Sequence, residues 1–406
     1  MYLRSKKGQV TVLIMMICSS MVLMMSIFIT VVGSKAVDAS VESLGRLWAS
    51  SLLGEYDLNL YERYGLLGYY GVPEEIDAKL DYLASYSFDG KGYISYEGCR
   101  SSVAGYGLDN RDELVKQIRA VALTDAVASF STGGFSGGGS EDYEYPGEIS
   151  GASITNGRIL GSLPSAQGTD DSILDYLDGL LSGIGSIKDA VYSGTDAYIE
   201  TYYIKNHFGN ALRVREDAFL KYEMEYVLAG KKSDRENYYS TRNRIIALRE
   251  ALNYAYINTN ERMSEEALLV AELIAPGPGA PAVQQALLAA WAFGESVNDY
   301  RLLIHGHPVP YMKEEGSWAL KLETILEYSG EGYLYAGNQK GEYYEDYLFT
   351  MIFLLGEKTR VLRMMDLIEI DMKKNCYRDF RLADYCTGID YEIKVNGKSH
   401  SFRDYY

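Results

Sequence analysis

The sequence contains little cysteine, histidine and proline, and its first 34 residues contain no acidic residue. Four cysteines in 406 residues exclude a miniature protein held together by disulfides, and 47 % hydrophobic residues exclude a disordered chain. Arg4, Lys6 and Lys7 are the only charged residues before Lys35. The first 34 residues therefore carry +3, and the rest of the chain carries −20 of a total charge of −17.

The net negative charge of the chain limits the partners that it can bind. A nucleic-acid surface needs clustered Lys and Arg to neutralise phosphates, and a net charge of −17 provides no such footprint, so we expect no nucleic-acid partner. No Gly-x-x-x-x-Gly-Lys-Ser/Thr phosphate loop and no His-Glu-x-x-His zinc motif occurs. The sequence thus predicts no cofactor.

Residues 9–34 form a charge-free apolar run, QVTVLIMMICSSMVLMMSIFITVVGS. At about 1.5 Å per helical residue, the run exceeds the roughly 30 Å of a bilayer's hydrocarbon core. It is also longer than the core of a secretory signal peptide, which has about 7–15 residues. We predict a transmembrane helix over 9–34, with the basic leader, residues 1–8, in the cytoplasm and the bulk of the chain outside.

The apolar pattern continues beyond the run. Apolar residues recur there at helical spacing: Val37, Val41, Leu44, Trp48 and Leu52. The spacing predicts one long helix that leaves the membrane, docks this stripe on a soluble domain, and continues to about Leu60 before Tyr64-Gly65 ends it.

The segment KKGQVTV at residues 6–12, followed by the apolar run, resembles the start of TadE/TadG-like proteins. These are pseudopilin-type components of tight-adherence (Flp/Tad) pilus loci. The resemblance implies a processing site in which a prepilin peptidase cuts between Gly8 and Gln9. The fifth mature residue would then be Leu13, where prepilins of this kind carry Glu. The TadG branch is membrane-anchored and is not necessarily cleaved.

A second resemblance covers more of the chain. The segments that carry it are ASSLLGEYD (49–57), YGLL (64–67), EYVLAGK (225–231), LREALN (248–253), WAFGES (291–296) and MDLIE (365–369). Together they resemble a bacterial domain of unknown function that accompanies TadE/TadG-like anchors in Gram-positive tight-adherence clusters. The resemblance implies a location rather than a chemistry.

We expect a mainly α fold with a long N-terminal pilin-like helix, an exterior helical domain and a small β element. The predicted segments are a basic leader (1–8), a transmembrane helix (9–34), its amphipathic continuation (35–72), a variable region with a Gly/Ser-rich linker (73–195), a helical domain (196–375) and a β-hairpin tail (376–406). Asn396-Gly397 is the dipeptide that a two-residue hairpin favours, and a strand near Tyr93–Tyr96 is the expected neighbour of the hairpin.

Within the variable region, helices are predicted at 109–130 and 171–192, on either side of a Gly/Ser tract at 133–140. In the helical domain, apolar periodicity, a capping box at Ser233 and Glu236, and prolines at 276, 278 and 281 mark the boundaries. The predicted helices there are Tyr198–His207, Phe219–Leu228, Ser233–Ile257, 261–274, 281–304, Tyr343–Leu355 and Thr359–Met372.

Few residues suggest chemistry. His305 and His307 are the only close histidine pair, and we favour a solvated turn over a metal site because no third ligand adjoins them. Cys376 and Cys386 are close enough in sequence to form a disulfide, and the alternatives are a bridge from Cys99 to one of them or free thiols.

Carboxylate pairs such as Glu223 with Glu225, or Asp366 with Glu369, have the spacing of an acid and a base. Structural ion pairs, with Arg249, Arg360 or Arg363 for the second pair, are the expected use of such residues.

These patterns favour a non-enzymatic, membrane-anchored, surface-exposed accessory component of a Tad-type pilus or secretion apparatus in a bacterial cell membrane. Its expected partners are the membrane and other pilus-assembly or pseudopilin subunits. The alternative is a membrane-tethered cell-envelope hydrolase that uses carboxylate chemistry.

Overall fold

The computed structural model describes residues 7–131, 152–154, 163–168, 196–314, 316–325, 332–337 and 340–406. These residues are mainly helical with small antiparallel sheets, which confirms the predicted fold class. The chain divides into two compact units. The first, which we call the sheet unit, comprises Met1–Leu58, Leu67–Asn110 and Ala383–Tyr406, and the second, the helical unit, comprises Asn59–Leu66 and Arg111–Leu382.

The first half of the chain contains α1 (Lys7–Leu53), α2 (Leu58–Tyr64), β1 (Tyr69–Tyr70), α3 (Pro73–Phe88), β2 (Tyr96–Ser102), α4 (Arg111–Ser131) and a 3-10 turn, Pro164–Gln167. The second half contains α5 (Asp196–His207), α6 (Glu223–Ala229), α7 (Asp234–Thr259), α8 (Glu261–Ile274), α9 (Ala280–Ile304), α10 (Leu322–Ile325), α11 (Tyr344–Leu354), α12 (Glu357–Asn375), a 3-10 turn at Leu382–Asp384, β3 (Tyr385–Cys386), β4 (Gly388–Val395) and β5 (Lys398–Tyr405).

Helix α1 is one continuous helix of 47 residues with two different surroundings. Side chains 10–36 are exposed, and Val37 is the first buried one. The predicted apolar stripe is confirmed, because Val41, Trp48 and Leu52 are buried in the core of the sheet unit and Leu44 packs against it. The helix ends at Leu53, earlier than predicted, since Gly54 is a poor helix former.

The predicted stop at Tyr64-Gly65 instead ends the separate short helix α2, with Gly65 in a left-handed conformation.

Glycine allows α1 to approach the sheet closely. A Cβ atom at Gly45 would lie 2.4 Å from the ring of Phe402, and the hydroxyl of Tyr391 donates a hydrogen bond to the Gly45 carbonyl. At Gly33, on the exposed half of the same helix, an added Cβ atom would have no neighbouring atom within 4 Å. Glycine in a helix interior costs about 1 kcal/mol relative to alanine. At Gly45, the close contact with β4 and β5 explains its presence.

The main sheet has the strand order β2-β4-β5, and all pairings are antiparallel. The predicted hairpin at Asn396-Gly397 is confirmed, because both residues have positive φ, 48° and 73°, as a type I′ turn requires. Strand β2 is the predicted neighbour, although it starts at Tyr96 and extends to Ser102. Val37, Trp48, Ile76, Leu80 and Ile393 contribute to the core between α1, α3 and the sheet.

The helical unit follows the predicted pattern with local differences. Gly230 has a left-handed conformation after α6, and the Ser233 hydroxyl caps α7 by accepting a hydrogen bond from the Glu236 amide. Helix α4 corresponds to the predicted helix at 109–130, whereas the predicted helix at 171–192 and the Gly/Ser tract lie outside the described residues. Helices α7, α8 and α9 enclose a core that includes Ile257, Ala267 and Trp291.

The predicted helix Phe219–Leu228 is wrong in its first turn. The observed helix, α6, begins at Glu223, and residues 208–222 before it form a loop. The backbone amides of this loop are bound by carboxylates rather than by helical carbonyls, as described below.

Candidate functional site

The exposed half of α1 is the first candidate functional feature. Its large apolar side chains between Val10 and Val32 are 49–74 % exposed, and its most apolar window has a mean hydropathy of 2.6. Among the helices that the structure describes, α1 alone is long and apolar enough to cross a membrane. The predicted processing residues, Gly8 and Gln9, lie in its first turn.

Glu223 and Glu225, one predicted carboxylate pair, are buried on α6 and bind the backbone of the 208–222 loop. A Glu223 oxygen accepts a hydrogen bond from the Gly209 amide at 2.7 Å, and a Glu225 oxygen accepts one from the Ala211 amide at 2.9 Å. The Tyr344 hydroxyl donates a second hydrogen bond to the same Glu225 oxygen, at 2.8 Å. Both carboxylates therefore replace main-chain partners that the loop lacks.

Two further buried carboxylates bind the same loop. Asp234 accepts hydrogen bonds from the Lys221 and Tyr222 amides at 3.1 and 3.2 Å, and Asp371 accepts one from the Phe219 amide at 2.8 Å. A loop without a helix or strand needs such acceptors when it is buried, because an unpaired amide costs about 1–3 kcal/mol. These acids therefore hold the loop in place by accepting its backbone hydrogen bonds.

Arg215 is the cation of this cluster. Its guanidinium contacts Asp371, lies 3.3 Å from a Glu223 oxygen and stacks 5.4 Å from the centre of the Tyr64 ring. Burial raises the pKa of both Glu223 and Asp371, and repulsion from a neighbouring carboxylate adds to each rise, from Asp371 at Glu223 and from Asp217 at Asp371. Asp217 also lies 3.3 Å from the guanidinium, so one cation faces three carboxyl groups.

Asp366 and Glu369, the second predicted pair, point to different partners. Asp366 accepts hydrogen bonds from the Ser165 amide at 2.9 Å and the Tyr226 hydroxyl at 2.8 Å, and burial raises its pKa to about 6. Glu369 pairs with Lys373 at 2.8 Å and accepts a hydrogen bond from the Leu382 amide.

The expected arginine partners of this pair are used elsewhere. Arg249 binds Asp299, Arg360 binds Glu200 at 2.7 Å, and Arg363 donates to the carbonyls of Val227 and Leu228. The expectation of an ion pair was correct for Glu369, but the partner is the lysine one helical turn away.

A second buried ionic network was not predicted from the sequence. It joins Arg249 and Asn253 of α7, Glu295 and Asp299 of α9, and Lys313 of the following loop, all of them buried. Arg249 bonds Asp299 at 2.9 Å, and Lys313 lies 2.8 Å from Glu295 and 2.7 Å from Asp299. Two cations balance two anions, so the network is neutral. The segments LREALN and WAFGES, on which the sequence resemblance rests, contain three of these five residues.

The histidine pair lies in a Tyr-rich surface cluster. The His307 Nε2 atom is 2.6 Å from the Tyr335 hydroxyl and 3.2 Å from that of Tyr333, and the His305 Nδ1 atom is 2.7 Å from the Arg301 carbonyl. Burial and the neighbouring His305 lower the pKa of His307. Over the part of the chain that the structure describes, no group of three His, Cys, Asp or Glu side chains is arranged to hold a metal ion.

Cys376 and Cys386 are both free thiols in the structure. Cys386 is buried in the sheet unit with its sulfur 3.5 Å from the Tyr69 carbonyl, whereas Cys376 is partly exposed in the helical unit. The disulfide between them is not formed here and stays a prediction.

The chain belongs to a family of unknown function, DUF5702, whose model matches residues 144–397, more than half of the sequence. The match includes most of the helical unit and strand β4. No curated protein and no solved structure matches the chain.

We expect Glu225 to make the stability of the protein depend on pH. Burial raises the pKa of Glu225 to about 7, so the carboxyl group is protonated in the folded state at pH values where the unfolded chain already ionises. The stability from this group is complete below about pH 4.3 and is lost as the pH rises through about 7. Between pH 5 and 8, the free energy of unfolding of the wild type should fall by about 2–3 kcal/mol relative to Glu225→Gln.

Urea denaturation of both proteins across this pH range measures the difference. In the Glu225→Gln variant, the amide side chain keeps an acceptor oxygen for the Ala211 amide and the Tyr344 hydroxyl. Glu265→Gln, an exposed change on α8, is the control and should shift the curve equally at all pH values. Parallel curves for wild type and Glu225→Gln would contradict the assignment.

Proposed function

We propose that the protein is a membrane-anchored, surface-exposed and non-enzymatic accessory component of a Tad-type pilus or secretion apparatus, similar to a pseudopilin. The observation that carries this proposal is the division of α1 into an exposed apolar half and a half packed on a small antiparallel sheet. A rigid connection of this kind couples a membrane span to a folded surface domain.

The charge distribution supports the orientation. The three leader cations precede the exposed apolar half, and the residues after Lys35 carry nearly all of the acidic excess. By the positive-inside tendency, the leader faces the cytoplasm and both folded units face outward. The acidity of the outer part favours solubility at a crowded cell surface.

The leader sequence KKGQVTV supports the assignment to a Tad-type system through its resemblance to TadE/TadG-like proteins. N-terminal sequencing of the mature protein distinguishes the forms of the anchor. A start at Gln9 indicates prepilin-type cleavage, and an intact leader indicates a permanent anchor.

The carboxylates named for a hydrolase have structural partners. Glu223, Glu225, Asp366 and Glu369 each accept a backbone amide hydrogen bond from a neighbouring segment. This use favours a structural role for all four, and we propose no second function from them.

Deletion and complementation test the proposal. Loss of the gene should abolish pilus assembly and surface adhesion, and the full chain should restore both. A chain without residues 9–34, expressed to the same level, should restore neither, because it lacks the apolar helix that anchors it. Normal pili in the deletion strain, or full rescue by the truncated chain, would overturn the proposal.

A further inference from the structure

The two edge strands of the main sheet, β2 and β5, differ in whether their outward backbone groups are hydrogen-bonded. On β2, the outward backbone amides of Cys99 and Ser101 donate hydrogen bonds to Asp81 and Asp77 of α3, at 3.2 and 2.6 Å. This edge is therefore closed by side chains of the same unit. Closure of this kind prevents another strand from adding to a sheet.

Within the described residues, no strand covers the β5 edge. Val395 and Lys398 flank the two-residue turn and form a hydrogen-bonded pair, so every second residue from Lys398 bonds to β4. Ser399, Ser401 and Arg403 thus direct their amides and carbonyls away from β4. In the described part of the chain, no hydrogen bond satisfies these outward groups.

Charged side chains do not guard this edge. Lysine and arginine often protect edge strands by projecting into the path of an incoming strand. Here the Lys398 ammonium is bound to Asp38 of α1 at 3.1 Å, and the Arg403 guanidinium is bound to Asp390 of the neighbouring strand at 2.8 Å. The two outward residues between them, Ser399 and Ser401, are small and exposed.

A groove of about 540 Å³ runs beside β5. One wall is a stripe of α1 that includes Glu42, Arg46 and Ala49, and the other wall is β5 from His400 to Asp404. Glu42 and Arg46 pair with each other at 3.0 Å, so the wall is polar and has no net charge.

We infer that the β5 edge binds an extended segment of a different protein, which adds as a fourth strand in the groove between α1 and β5. The outward groups from Ser399 to Arg403 span about five residues at about 3.3 Å each, and the Tyr405 amide beyond them donates to the Asp404 carboxylate at 3.1 Å. The segment needs its amide hydrogens and therefore contains no proline at the bonding positions. This inference rests on the proposed function, since it names the kind of subunit contact that the accessory component makes.

Two copies of this chain do not pair through their β5 strands. Lys398 contacts Ser34 and Asp38 near one end of the packed half of α1, and Asp404 contacts Ser50 near the other, so α1 and β5 run in the same direction. An antiparallel pair of two β5 strands would reverse one α1 relative to the other and place their spans in opposite directions. A parallel pair needs an offset of one residue between the strands, which a two-fold axis does not allow.

Photo-cross-linking in cells with the intact apparatus tests the inference. The probe is p-benzoylphenylalanine placed at Ser399 or Ser401, with Glu392 as the matched control. Glu392 is the register partner of Ser401 on the central strand and is exposed on the same face. We expect adducts from the two edge positions to map two residues apart on one segment of another protein, with at least a tenfold lower yield from Glu392.

Ser401→Pro should reduce the adduct from Ser399 at least tenfold, because it removes an outward amide without removing a bond to β4. Ser401→Ala should leave the yield unchanged. Amide hydrogen exchange provides a second measurement that needs no variant, and the Ser401 amide should exchange more slowly in the assembled apparatus than in the purified full chain.

Adducts to a second copy, adducts spaced three or four residues apart, equal yields from Glu392, or unchanged exchange at Ser401 would overturn the inference. A strand-like adduct to a protein outside the pilus apparatus would support the edge contact but contradict the proposed function. Pili restored equally by wild type and Ser401→Pro, without any adduct, would support the function and contradict the edge contact.

Discussion

Arg249→Ala is expected to lower the free energy of unfolding by about 3–5 kcal/mol, the cost of removing one partner from a buried ionic network. The Arg249 side chain is fully buried. It donates hydrogen bonds to Asp299 at 3.0 Å, to Asn253 at 2.8 Å, and to the carbonyls of Pro310 and Tyr311 at 2.7 Å each. Alanine removes these donors from the interior: Asp299 keeps its bonds from Asn253 and Lys313, whereas the Asn253 side-chain oxygen and the two carbonyls lose theirs from Arg249.

The charge balance gives this variant a pH signature. Although burial on its own raises the pKa of Asp299, the attraction of Arg249 and Lys313 holds it below its usual value. Without Arg249, Lys313 faces Asp299 and Glu295 alone, and the pKa of Asp299 should rise. Protonation then relieves part of the excess negative charge, so the stability deficit of Arg249→Ala should be smaller at pH 5 than at pH 8.

Urea denaturation of the full chain in detergent measures both effects. Arg262→Ala is the control, since Arg262 is 76 % exposed and 4.0 Å from Glu266, and such surface pairs contribute about 0–1 kcal/mol. A loss for Arg249→Ala no greater than that of the control would mean that the network does not hold α7, α9 and the 308–314 loop together.

The contrast between α1 and this network shows which features can be predicted from the sequence. The long apolar helix, the apolar stripe from Val37 to Leu52 and the turn at Asn396-Gly397 depend on residues close in sequence, and all were predicted. The partners of Arg249 lie up to 98 residues away, at Tyr347, and Arg360 and Glu200 are 160 residues apart. A buried arginine has the same local pattern as an exposed one, so composition and spacing give no signal of such a pair.

The loop at 208–222 also shows that local spacing misses the effect of residues distant in sequence. Phe219, Leu220 and Tyr222 extend the apolar pattern of α6, and local spacing therefore predicts a longer helix. The observed start at Glu223 depends on Asp234 and Asp371, which accept the hydrogen bonds of the amides at 219, 221 and 222. These distant acceptors, rather than the local periodicity, set the boundary.

The double variant Leu23→Arg/Ile27→Arg is expected to move the chain from the membrane fraction to the soluble fraction. Each exchange costs about 3–4 kcal/mol in the middle of a membrane helix, so the two together change partitioning by roughly ten-thousandfold or more. The side chains are 65 % and 58 % exposed, and they lie more than a turn before the first buried residue of α1. Carbonate extraction of cell membranes, followed by immunoblotting, measures the distribution.

Leu269→Arg/Leu273→Arg provides a matched control with the same spacing on a helix. These leucines are 65 % and 85 % exposed on α8 of the helical unit, so the control variant should stay in the membrane fraction. Because the exposed half of α1 makes no contact with the core of the sheet unit, the α1 variant should keep the circular dichroism of the wild type. Membrane retention of the α1 variant, or a soluble wild type, would contradict the anchor, whereas loss of both location and fold would mean that the two halves of α1 are not independent.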